Sequence, residues 1–175
     1  METFNDKMLQ VTGWDISPSY RSLIIKTVTP SLNPAAQQAI ETAGFNLKSE
    51  THITVVGSSV GKDLSDTQFG QIRVAMREFS FDDVELVDDV YRVAKPKVVD
   101  GKALERESLI APISSVAIGQ LVQKLSHQLY ISLDPYLHVT VATRPDTAIA
   151  QRGISIASRQ EFDEINQGEF FTARP

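Results

Sequence analysis

Apolar positions along the chain follow two periods. Residues 23–28, Leu-Ile-Ile-Lys-Thr-Val, are rich in β-branched residues and the run closes at Pro30, the pattern of a strand buried on at least one face. The period then changes: Pro34 suits a first helical position after Asn33, residues 35–43 favour helix, and Gly44 falls where a left-handed cap would end it. Extended character returns over 50–58, with Ile53, Val55 and Val56 as its apolar members. Ser65 and Gln68 form a capping-box pattern, and Phe69, Ile72, Met76 and Phe79 recur at the helical period, which predicts a second helix ending near Ser80. Residues 84–93 read as extended, and the charged stretch 95–108 around Gly101 reads as an exposed hairpin or loop. A strand over 109–113 precedes a helix capped by Ser114 or Ser115, in which Ile118, Leu121, Val122, Leu125 and Leu129 share one face. Pro135 closes the turn behind it, residues 136–144 return to strand, and Ser158 with Glu161 opens a short helix near the C-terminus.

Both halves therefore repeat one order: a strand, a helix, then a strand carrying a histidine. This predicts an α+β protein, a single domain over 1–175 with two pseudo-symmetric lobes of roughly 1–88 and 89–175. Each lobe is expected to be an antiparallel sheet with helices outside, the two facing a central groove.

Composition narrows the chemistry. A chain of 175 residues with 42% hydrophobic content can bury a sizeable core. With no cysteine, disulfides, thiolate metal sites and thiol nucleophiles are excluded. The net charge of −5 supplies no global attraction to nucleic acid or an anionic membrane, so any phosphate binding must be local. The acidic, polar N-terminus lacks a signal-peptide pattern, and the longest apolar stretch, 109–122, is too short and too interrupted to span a bilayer. A soluble cytoplasmic protein is expected.

Two of the three histidines occur in one context, Thr51-His52-Ile53-Thr54-Val55 and Leu137-His138-Val139-Thr140-Val141. Side chains alternate across a strand, so each segment presents an imidazole and a hydroxyl on one face and apolar residues on the other. Threonine fills 12 of 175 positions, which puts chance duplication at roughly 1 to 2%. An ordinary histidine titrates near neutrality, so one imidazole of a pair can hold a proton while the other lacks it. Across a groove, such a pair could activate water and protonate a leaving oxygen, while the threonine hydroxyls donate to the non-bridging oxygens of a phosphodiester. That chemistry requires no metal and no cofactor.

On these residues, His52-Ile53-Thr54-Val55 and His138-Val139-Thr140-Val141, 86 positions apart, the chain resembles the two-histidine (2H) phosphoesterases. That family includes RNA 2′,5′-ligase-like proteins and 2′,3′-cyclic phosphodiesterases. The resemblance implies that His52 and His138 are the acid and base and that Thr54 and Thr140 bind phosphate. Many members have a basic residue soon after the second motif. Here position 143 is threonine and Arg144 follows, on the His138 face if the strand runs that far. Leu137 stands where members often have proline. Tyr136, two residues before His138, is a second candidate for substrate binding.

The expected function is a metal-independent phosphodiesterase, acting as a monomer on a small nucleotide or an RNA 3′ end, with no DNA or membrane partner. The alternatives are a nucleotide- or RNA-binding module without turnover, or an enzyme cleaving cyclic oligonucleotides or 2′,5′-oligoadenylate. His127 falls away from the apolar stripe of its helix and reads as a surface residue, and Trp14 reads as core packing. The segment Gly57–Asp63 lacks the spacing and the hydroxyl of a nucleotide-binding P-loop. Asp82-Asp83 and Asp88-Asp89 read as solvated turns rather than metal ligands.

Overall fold

The computed structural model describes residues 2–171. In chain order the elements are β1 (Val11–Ser17), β2 (Ser22–Thr27), α1 (Pro34–Thr42), β3 (Asn46–Leu47), β4 (Thr51–Val56), α2 (Ser58–Gly61), α3 (Asp66–Met76) and β5 (Glu85–Leu86). They continue as β6 (Tyr91–Ala94), β7 (Lys97–Val99), β8 (Lys102–Leu104), β9 (Glu107–Ser114), α4 (Val116–Leu129), β10 (His138–Arg144), α5 (Ala148–Gln151), α6 (Arg159–Ile165) and β11 (Asn166–Glu169). The molecule is α+β, with antiparallel strand pairing throughout the described residues.

Local chemistry sets the helix boundaries. Asn33 accepts from the Ala35 amide and Gly44 takes φ +84 beyond the end of α1. Ser65 and Gln68 close a reciprocal capping box on α3. Ser115 caps α4, and Ser158 caps α6 by accepting from Glu161. Asp83, read from sequence as a solvated turn residue, extends the α4 cap: its carboxylate accepts from the Ser115 hydroxyl at 2.6 Å and the Ala117 amide at 3.0 Å. The helix of α3 stops at Met76, earlier than its apolar period predicts, and Phe79 packs on the core from outside the helix.

One sheet runs β1-β2-β4. The other runs β11-β6-β9-β10-β3, with β5 against the end of β9. In each, a strand, then a helix, then the histidine strand come in chain order, as β2-α1-β4, with the short β3 between α1 and β4, and as β9-α4-β10, and the two strands are hydrogen-bonded neighbours. Strand β3 comes from the first half of the chain but pairs with β10, so the second sheet draws on both halves. A single core of Leu23, Ile25, Ile53, Ile72, Leu121 and Val139, among others, runs beneath both sheets. Trp14 packs on it from β1, a strand that the polar N-terminal sequence concealed. A smaller cluster of Val93, Ile110, Ile154, Ile156 and Phe162 fills the opposite face of the second sheet. Among the described residues, the β7–β8 hairpin pairs only with itself. Among the described residues, no helix is long and apolar enough to cross a membrane.

Candidate active site

Strands β4 and β10 lie against one another where the two sheets meet. In β4, Ile53 and Val55 are buried in the core while His52 is exposed and Thr54 half-buried, the alternation that a one-sided strand requires. In β10, Val139 is buried on the core side, and His138 and Thr140 take the other face. All four side chains line one cavity of about 530 Å³.

Each histidine strand carries a bulge directly after its threonine. In β4, Thr54 opposes Ile24 and Val56 opposes Leu23, which leaves Val55 as the extra residue and buries Val55 and Val56 together. In β10, Thr140 opposes Ile110 and Ala142 opposes Leu109, leaving Val141 extra. Beyond each bulge the alternation reverses.

The reversal decides the place of Arg144. An unbroken strand would put it on the His138 face, but the bulge turns it to the core side. There it pairs with Glu107, donates to the Ala43 carbonyl at 2.7 Å and lies 4.2 Å from the centroid of the Phe45 ring. It does not line the histidine cavity. Tyr136 precedes β10 and stacks on Phe162, with centroids 4.2 Å apart and Arg159 over both rings. Its side chain borders a neighbouring cavity with Tyr91, Pro112 and Arg159, and burial pushes its phenol up to about 12. What Tyr136 supplies to the site is its backbone carbonyl, 2.7 Å from His138 Nδ1.

That carbonyl can only accept, so His138 Nδ1 carries a proton and Nε2 is left as the nitrogen that can exchange one. His138 is 8% exposed. Burial holds its pKa below the ordinary value, the hydrogen bond to Tyr136 partly opposes this, and the nearby His52 charge lowers it further. His52 keeps solvent access, yet the groove walls surround it closely enough that desolvation is the main influence lowering its pKa, followed by repulsion from Lys48. His127 is on the exposed side of α4 and does not line this cavity.

Several cavity residues carried no sequence signal strong enough to single them out. Ser17, Ser22 and Ile24 come from the β1–β2 hairpin and Arg106 from the loop before β9. Residues 152–156 pass along the groove, and Gly153 packs so closely that a Cβ there would meet Thr140 Oγ1 at 3.3 Å. The alternation of Ser22 and Ile24 with buried Leu23 and Ile25 hinted at a groove face, but nothing in sequence tied 152–156 to the histidines. Among the described residues, no group of three or more acidic or histidine side chains is arranged to hold a metal ion. The chain matches no family model, and neither the comparison with curated proteins nor that with solved structures finds a match.

Proposed function

We propose that the protein is a metal-independent phosphodiesterase that opens 2′,3′-cyclic phosphates on small nucleotides or RNA ends. The observation that supports this most directly is the meeting of His52, Thr54, His138 and Thr140 in one cavity, from strands 86 residues apart in sequence. In this reading His138 is the base. It is buried, its pKa is held below the ordinary value, and it is oriented through Nδ1 so that Nε2 takes a proton from water. The water oxygen bonds to phosphorus as one ester P–O bond breaks, and His52 as imidazolium delivers its proton to the departing ribose oxygen. The Thr54 and Thr140 hydroxyls donate to the two non-bridging oxygens, where negative charge grows. A bound phosphate would raise the pKa of both imidazoles by adding a negative charge nearby, so the protonated partner is favoured once substrate is present. On the same reading the protein works as a cytoplasmic monomer, without DNA or a membrane as partner.

The test is incubation with 2′,3′-cyclic mononucleotides, a cyclic-phosphate-ended RNA and cyclic dinucleotides, in chelator, with products identified by mass. Gain of one water by the 2′,3′-cyclic substrates, lost in His52→Ala and His138→Ala, is expected. Binding without product in every arm, or turnover abolished by chelator, would overturn the proposal.

A further inference from the structure

The histidine cavity holds more positive charge than one phosphodiester requires. Lys48, Lys97, Arg106 and Arg152 line it against one carboxylate, Glu50, a local excess of three positive charges on a chain whose net charge is −5. A phosphodiester carries one negative charge, and the two threonine hydroxyls already supply donors for its two non-bridging oxygens.

Three of these cations are gathered by the end of α5 and the residues after it. The carbonyl of Gln151 accepts from Lys48 Nζ at 2.6 Å, and the carbonyl of Gly153 accepts from Arg106 Nη1 at 3.2 Å, with Arg152 between them. Gly153 holds φ +79 and packs on Thr140, so the cluster begins one residue from the hydroxyl assigned to the reacting phosphate. Arg106 Nε also donates to the Lys95 carbonyl at 2.9 Å, which leaves three of its five N–H groups unspent. Among the described residues Arg106 closes no ion pair, whereas Arg144 and Lys95 each close on a glutamate. The nearby Glu161 helps to stabilise the Arg106 charge but closes its direct ion pair with Lys95, so a half-buried guanidinium fixed by backbone carbonyls keeps N–H groups for an anion from outside the chain.

We infer that this cluster is a second phosphate subsite, and that the substrate is a nucleotide carrying at least one phosphate besides the one held between the histidines. The inference rests on the phosphodiesterase reading for the position of the first phosphate. Its preferred substrate is therefore a 5′-phosphorylated nucleotide or an oligonucleotide with a cyclic end, with a bare cyclic mononucleotide a weaker-binding one.

The experiment is calorimetric titration of the intact protein at low salt with adenosine 3′-monophosphate and with adenosine 3′,5′-bisphosphate. The bisphosphate is expected to bind at least about tenfold tighter, with an advantage that shrinks as salt is added. In Arg106→Gln and, separately, in the exposed-site variant Arg152→Gln, the advantage is expected to fall to about threefold or less. Equal affinities in the wild type, no binding of either nucleotide at millimolar concentration, or an advantage that survives in both variants would overturn the inference. A parallel assay of 2′,3′-cyclic AMP opening separates the two conclusions. Turnover without preference for the bisphosphate removes the subsite and leaves the phosphodiesterase, and preference without turnover does the reverse.

Discussion

Strands β4 and β10 carry the same four-residue pattern and the same bulge after the threonine, yet they place their histidines in different surroundings. Strand β4 is the edge of its sheet, and His52 stands open to solvent beside Lys48. Strand β10 lies between β9 and β3, and His138 is buried with Nδ1 committed to a carbonyl. The same local pattern therefore yields two imidazoles of different character, because solvent access and neighbouring charge come from other parts of the chain. The buried one suits proton acceptance and the open one suits exchange with solvent.

The strongest test of this asymmetry is the pH dependence of kcat/KM for a cyclic nucleotide. Both pKa values are lowered, so the profile should be bell-shaped with its alkaline limb below the ordinary histidine value of about 6.5. Replacing either histidine with glutamine should cost about a hundredfold or more, His138→Gln removing the acid limb and His52→Gln the alkaline one. The opposite pairing would reverse the assignment of base and acid.

A smaller effect separates the two rings directly. Lys48 repels the charged form of His52, so Lys48→Gln should raise the His52 pKa towards 6.5 and carry the alkaline limb to higher pH, while the His138 titration stays nearly in place. Proton NMR titration of the two rings would read this, and equal movement of both would break the comparison. Smaller again is Tyr136→Phe. Its contribution to His138 is a main-chain carbonyl, so activity should stay within about threefold of wild type, and a tenfold loss would mean that the phenol itself meets substrate.

The smallest expected effect concerns the buried hydroxyls of the two sheets. Thr27 and Thr51, opposite one another beside His52, share a hydrogen bond at 2.7 Å. Ser108, opposite Thr143 in the second sheet, is fully buried and, among the described residues, has no partner for its hydroxyl. Ser108→Ala should be neutral or stabilising by up to about 1 kcal/mol, and Thr51→Val destabilising by about 1 kcal/mol, in urea unfolding. Equal and opposite signs to these would show that the hydroxyl accounting is wrong.

Much of the architecture was legible because it rests on local rules. The caps at Asn33, Ser65 and Ser158 satisfy amides within three residues, and the apolar stripe of α4 needs only the helical period to be recognised. Strand β1 was missed because Gly13, Asp15 and Ser17 dilute its apolar residues, and its strand character comes from pairing with β2. The exposed hairpin over 95–108 was anticipated, but not that Lys97 and Arg106 at its two ends would border the cavity. Arg144 was misplaced for a specific reason: an uninterrupted period of two was extended through Val141, and a bulge is set by pairing with β9.

By itself, the amino-acid sequence determined which residues can do chemistry, two imidazoles each with a hydroxyl two positions on, and that each pair shares a strand face, since alternation is a property of the extended backbone. Only the tertiary structure decided that the two faces enclose one cavity, that His138 is buried while His52 is open, and that residues 151–153 bring Lys48, Arg106 and Arg152 together. Those properties depend on contacts between segments distant in the chain, and the bulges that aim them arise from the register of one strand against another, which no single strand encodes.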